Sequence, residues 1–284
     1  MKKTVLILAV GFILNMATAQ QHIPTLDDYN RFLKSKTMVV FDEVKLSVFN
    51  WKIKEIMERA WTITPVEYIT FKEFEELKHD PNLSFIITTV ASFEKDKVKA
   101  RFDFLSLLMG QPDKKLKALP DLCSIPLAYA QMDDDTYGYK LEAFILFIQA
   151  YVKEVLADPT LIGEKGFSKY TKKKGGSLAG KTLYLLKEEV PKDINDEKKI
   201  KSVYPHPVKF VTHEEIEAAI ARRDNNVVFL HKVGPAKFQH QTRVYKIIVG
   251  AGDSKLYYHA HKIMKSQADN ALQAKDLKKM AKLK

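Results

Sequence analysis

Residues 175–186 read "GGSLAGKTLYLL", and the fold turns on how they are taken. The first eight match G-x-x-x-x-G-K-[ST], the pattern of phosphate-binding loops. A working loop of that kind leaves a buried strand and enters a helix, whose first amides hold the phosphates. Here the preceding residues, Lys169-Tyr170-Thr171-Lys172-Lys173-Lys174, do not read as a buried strand. The residues that follow, Thr182 to Leu186, do read as one. The order is loop then strand, the reverse of what the chemistry needs, and no bound nucleotide is expected.

Working outward, the strand after Lys181 has a counterpart earlier in the chain. Lys36-Thr37-Met38-Val39-Val40-Phe41 matches Lys181-Thr182-Leu183-Tyr184-Leu185-Leu186. A helix-compatible stretch follows each, Lys52–Trp61 in one half and Asp196–Tyr204 in the other. Then come Pro65-Val66-Glu67-Tyr68-Ile69-Thr70 and Pro207-Val208-Lys209-Phe210-Val211-Thr212. Each threonine precedes an amphipathic acidic run and reads as an N-cap, with Glu73 or Glu215 at capping-box spacing. Asp80-Pro81-Asn82 and Asp224-Asn225-Asn226 are turn signals that stop these helices.

Buried strands are expected next, Ser84–Val90 against Val227–Val233. Arg101–Leu108 and Arg243–Val249 follow, closing at Gly110 and Gly250. A fifth strand is expected at Ser124–Gln131 and Lys255–Met264, and a last helix at Tyr139–Leu156 and Gln267–Lys282. The pattern is β-α-β-α-β-β-β-α, twice. It predicts an α/β fold with mixed sheets that arose by tandem duplication. The expected boundaries are a signal peptide at 1–19, a lead helix within 20–35, a first α/β domain at 36–158 and a second at 181–284. Residues 159–180, rich in Gly, Lys and Ser and without amphipathic periodicity, read as a linker.

The N-terminus, MKKTVLILAVGFILNMATAQQ, places two lysines before an apolar run and Ala17-Thr18-Ala19 after it. These are the features of a signal peptide cleaved after Ala19. The apolar run is shorter than the roughly 20 residues that a bilayer span needs. No later stretch is apolar enough to span, so the expected location is periplasmic or secreted. The element order resembles small α/β domains of periplasmic proteins, such as the amino-terminal domain of the translocation protein TolB, and exported proteins of unknown function. That resemblance rests on pattern and carries no functional residue across.

The formal net charge of +11 becomes +9 without Lys2 and Lys3, since residues 1–19 hold no acid. Such a balance favours anionic surfaces or polyanions. No nucleic-acid motif accompanies it. Cys123 is the only cysteine and has an apolar setting, so it reads as a small buried residue.

Six of eight histidines lie beyond residue 200. His259 and His261 share one face of a strand, and His231 lies on another strand of the same expected sheet. Three imidazoles could hold zinc with a water in the fourth position, but the spacing matches no known motif. Gly250–Ser254 reads as a hairpin turn, and Ser254 has no base to activate it. Asp133-Asp134-Asp135 reads as a solvated loop that lacks calcium-loop spacing. Leu141–Leu156 is apolar nearly all round, which predicts burial on most sides. The C-terminal KDLKKMAKLK reads as a last helix with a solvated lysine face.

Three functional expectations follow. The first is a non-catalytic envelope protein, with no cofactor, that binds another envelope protein or an anionic envelope component. The second is a metal-assisted hydrolase built on His231, His259 and His261. The third is a polyanion-binding protein using the linker and tail lysines.

Overall fold

Residues 181–186 settle into the loop-then-strand order. A computed structural model describes residues 22–43, 47–93, 96–113, 119–129, 132, 134–163 and 165–283. The signal-peptide stretch 1–19, Gln131 and Asp133 lie outside the described residues. A short helix, Gly166–Tyr170, and one π-helical turn, Thr171–Gly175, precede the glycine run, where a phosphate loop would need a strand. Gly176 and Gly180 adopt positive φ of 75° and 78°, and Thr182–Leu185 is a strand. Lys181 sends its Nζ to the Asn225 carbonyl at 2.6 Å and over the Tyr257 ring. It is spent on the fold.

In chain order the helices are α1 (Leu26–Phe32), α2 (Val48–Ala60), α3 (Phe71–Leu77), α4 (Leu141–Ala157), α5 (Gly166–Tyr170), α6 (Glu197–Lys201), α7 (His213–Ala221) and α8 (Ala274–Met280). The first-half strands are β1 (Lys36–Val40), β2 (Val66–Ile69), β3 (Leu83–Ala91), β4 (Phe102–Met109) and β5 (Asp121–Tyr129). Those of the second half are β6 (Thr182–Leu185), β7 (Val208–Phe210), β8 (Val227–Val233), β9 (Arg243–Gly250) and β10 (Leu256–Ile263). The two sheets run β2-β1-β3-β4-β5 and β7-β6-β8-β9-β10. In each, the first three positions are parallel and the last two antiparallel. The element order and the strand order therefore repeat, consistent with the expected duplication.

The twin register differs from the sequence match by one residue. Thr37 pairs with Val66, and Leu183 pairs with Val208, the residue after proline in each half. Lys36 donates its amide to Asn82, and Thr182 donates its amide to Asn226. Lys36 is thus the twin of Thr182, not of Lys181. A one-residue shift inverts every side chain in a strand. With the correction, Val39 and Leu185 face the α2/α4 and α6/α8 sides, and Met38 and Tyr184 face α3 and α7.

The caps repeat closely. Thr70 Oγ1 accepts from the Glu73 amide and Glu73 returns a carboxylate to the Thr70 amide; Thr212 and Glu215 do the same. Asp80 and Asp224 each accept the amide two residues on, closing equivalent turns. The lengths do not repeat: α2 has 13 residues and α6 five, α4 has 17 and α8 seven. The helix expected over Gln267–Lys282 breaks, because the buried Asn270 amide donates to the Pro235 carbonyl and Gln273 restarts the chain in a capping box with Asp276.

The largest core holds α1, α2 and α4 against the first sheet, together with α7 and the facing side of β8 and β9. Helix α4 is buried along both sides, as its all-round apolar sequence requires. Each large apolar side chain it buries contributes about 1.5–3 kcal/mol. Its Phe144 ring meets His231 of the second sheet at 4.6 Å. A second core, formed wholly from residue 178 onward, seats α6 and α8 on the far side of the second sheet. Among the described residues no helix is long and apolar enough to cross a membrane.

Candidate functional site

The segment expected to be a linker forms one wall of a cleft of about 190 Å³. Gly163 and residues 165–168 face the start of β5, the residues leading into α1, Tyr151 of α4, and His259 and His261 of β10. Gly166 is required there, since a Cβ would come within 2.6 Å of the Tyr151 hydroxyl. The Phe167 ring packs edge-on against Phe147 and Tyr151, and 5.7 Å from His259. Tyr170 is buried between the Phe147 and Tyr151 rings. The lysine run is anchored: Lys173 pairs with Asp158 and Lys174 with Glu154, both at 2.8 Å, and Lys169 donates to the Thr160 carbonyl. Lysines near these last carbonyls of α4 also suit the negative end of its dipole.

The polar groups of the cleft are two imidazoles, the Lys165 ammonium, and the hydroxyls and carboxylate at its β5 side. Among the described residues His259 Nδ1 is buried without a hydrogen-bond partner. Burial, then the neighbouring His261, pushes the His259 pKa down to about 4. His261 is also lowered, by burial and then by Arg243. Both rings are therefore neutral at pH 7. Tyr29 donates its hydroxyl to the Leu122 carbonyl at 2.7 Å, and Ser124 donates to Asp121 at 2.8 Å. Cys123 lines the cleft too, but burial raises its thiol pKa well above the usual value, which keeps it un-ionised and unreactive. Among the described residues no hydrogen bond joins Ser124, Ser168 or Cys123 to either imidazole.

The three histidines do not converge. His231 and His259 flank Ile247 in register on the same sheet face, so two strand spacings, about 10 Å, separate them. One zinc ion needs its nitrogens about 2.0–2.1 Å away. His231 instead donates from Nε2 to the Pro126 carbonyl at 2.7 Å, tying the second sheet to β5 of the first. Burial, then Lys140, depresses its pKa to about 3. Among the described residues no three His, Cys, Asp or Glu side chains gather as a metal-ligand set. Ser254 sits at φ 55° in the β9–β10 turn, its hydroxyl unpaired among the described residues, and neighbouring Asp253 accepts from Tyr257 at 2.7 Å. Asp134 and Asp135 lie in a single 3₁₀ turn, where Asp134 accepts from Tyr137.

A second cleft, of about 390 Å³, lies where α2 meets α7. Its charges are already paired across the halves. Glu142, buried, accepts from Arg59 at 2.6 Å and from Arg223 at 2.7 Å, and Lys52 pairs with Glu217 at 2.8 Å. The first cleft is the stronger candidate because, among the described residues, neither His259 Nδ1 nor the Lys165 ammonium has a hydrogen-bond or ion-pair partner.

Sequence reading singled out His259 and His261 but missed Tyr29, Tyr151, Lys165 and Phe167. One signal was available: Phe167 and Tyr170 stand three apart between glycines, the spacing of one helical face. No protein-family model matches the chain, and neither a curated protein nor a solved structure does.

Proposed function

We propose that the chain is an exported, non-catalytic binding protein of the cell envelope, with its ligand held between α5, β5 and β10. The export signal in residues 1–19 motivates the location. The observation that carries the binding reading is the cleft itself. It is assembled from both halves and from the segment between them, and among the described residues it keeps a buried imidazole nitrogen unpaired and joins neither Ser124, Ser168 nor Cys123 to an imidazole. Aromatic walls with few free polar groups suit a small ligand with an apolar ring and a hydrogen-bonding end. Neutral His259 can donate from one nitrogen and accept at the other.

The test is native mass spectrometry of the protein purified from envelope extract, together with Phe167→Ala and His259→Ala variants. A small co-purifying adduct lost in both variants is the expected result. Bound zinc in stoichiometric amount, lost on His259→Ala together with an esterase or phosphatase activity, contradicts the reading and favours a metal-assisted hydrolase.

A further inference from the structure

Charge is divided unevenly along this chain. Residues 36–158 carry 16 lysines and arginines against 20 acids, a net of −4, whereas residues 181–284 carry 21 against 12, a net of +9. The excess is concentrated on the outermost layer of the second half. Helix α6 exposes Lys198, Lys199 and Lys201. Helix α8 and the residues after it expose Lys275, Lys278, Lys279 and Lys282. Both helices cover the same face of the second sheet, the one turned away from the first half. Between them runs the segment bearing exposed Lys192, tied to the α8 side by the Leu272 amide donating to the Glu189 carbonyl. None of these ammonium groups has an ion-pair partner among the described residues, in contrast to Lys173 and Lys174 of the inter-half segment.

The acids of this layer are largely committed. Asp276 holds Lys246, Asp269 holds Lys262, and Asp196 caps α6 at the Lys198 amide. Four acids here, Glu188, Asp193, Asp196 and Glu197, are exposed against these eight lysines. The apolar side chains of both helices, Ile200, Leu277 and Met280, point into the core, so the face offers charge and nothing to insert.

We propose that the α6/α8 face docks the protein on an anionic phospholipid surface. The chemistry distinguishes this from nucleic acid. The cations here are lysines, point charges without the bidentate fork of arginine, and no exposed aromatic side chain stands among them to stack on bases. An array of ammonium groups on one face of the second sheet suits a plane of headgroup phosphates, and the opposite sign of the first half orients the molecule toward it. The proposal deepens the envelope reading by naming a partner, but the test uses purified protein and vesicles, so it stands or falls separately from where the chain resides.

The experiment is co-sedimentation of the purified chain with vesicles of phosphatidylcholine alone and of phosphatidylcholine mixed with phosphatidylglycerol. Binding is expected only to the mixed vesicles and is expected to weaken steeply with added salt, because the attraction is screened within a Debye length. The variant Lys275→Gln/Lys278→Gln/Lys279→Gln should lose about a hundredfold in apparent affinity, at about fivefold per lysine. Lys173→Gln/Lys174→Gln, whose ammonium groups are already paired, should lose little. Unchanged circular dichroism melts establish that both variants are folded. Equal binding to neutral vesicles, an α8 variant that binds like the wild type, or capture by heparin without capture by vesicles overturns the proposal.

Discussion

Replacing His231 by glutamine should remove most of one titration from the acid sensitivity of the fold. The imidazole is fully buried, donates from Nε2 to the Pro126 carbonyl at 2.7 Å, and leaves Nδ1 without a partner among the described residues. Protonating Nδ1 would put a charge in the core beside buried Lys140, which is why the folded pKa falls from 6.5 to about 3. Between those two values the unfolded chain binds a proton that the folded chain refuses. Stability is therefore complete above the unfolded value and is lost as the pH falls below it, down to about 3. At about pH 5 the folded ring is still neutral, so the loss is set by the unfolded value and comes to about 2 kcal/mol. Glutamine keeps a donor for Pro126 and does not titrate. Urea unfolding of wild type and His231→Gln at about pH 8 and about pH 5 gives four free energies. Groups common to both proteins, His259 among them, cancel in the difference of differences. Wild type should lose about 2 kcal/mol more than the variant over that interval. Parallel losses in the two proteins would refute the reasoning.

Other perturbations test the joints of the fold. Glu142→Gln leaves Arg59 and Arg223 without their shared carboxylate; because both guanidinium groups are partly exposed, the cost should be about 2 kcal/mol, measured by urea unfolding. Gly176 has φ 75° and ψ −172°, a region open essentially to glycine alone, and a Cβ there would meet nothing within 4 Å. Gly176→Ala should therefore cost about 1–3 kcal/mol through the backbone alone, read as a lowered urea midpoint. Thr70→Ala and Thr212→Ala should each cost about 1 kcal/mol, and by similar amounts if the two caps are twins.

What was legible in the sequence was local. Thr70 with Glu73, Thr212 with Glu215, and the Asp80 and Asp224 turns announce themselves within four residues, and each forms as read. Helix α4 was legible because a helix apolar on all sides has few alternatives to burial. Register was not legible. Lys36-Thr37 and Lys181-Thr182 match letter for letter, yet strand pairing is decided by distant Pro65, Pro207, Asn82 and Asn226, which shift the twins by one. The glycines closing β4 and β9 mislead in the same way, for Met109 pairs with Ser84 where Gly250 pairs with Val228.

The site was half legible. His259 and His261 drew attention as a pair on one strand face, and the structure keeps them together. His231 did not join them because its ring is consumed by Pro126 and Phe144 from the first half, partners more than 80 residues away. The wall made by Gly163 and residues 165–168 was hidden by composition. Glycine and lysine looked like solvated linker, whereas the glycine is a close approach to Tyr151 and three of the lysines are tied to the C-terminal end of α4 and the turn after it.

Nuclear Overhauser contacts across residues 166–186 probe the twin-module account most directly. It requires helical i-to-i+3 contacts confined to Gly166–Gly175, and parallel cross-strand contacts from Leu183 to Val228 on one side and Val208 on the other. Extended contacts over Lys169–Lys174 followed by helical contacts starting at Lys181 would contradict it and return the glycine run to phosphate binding.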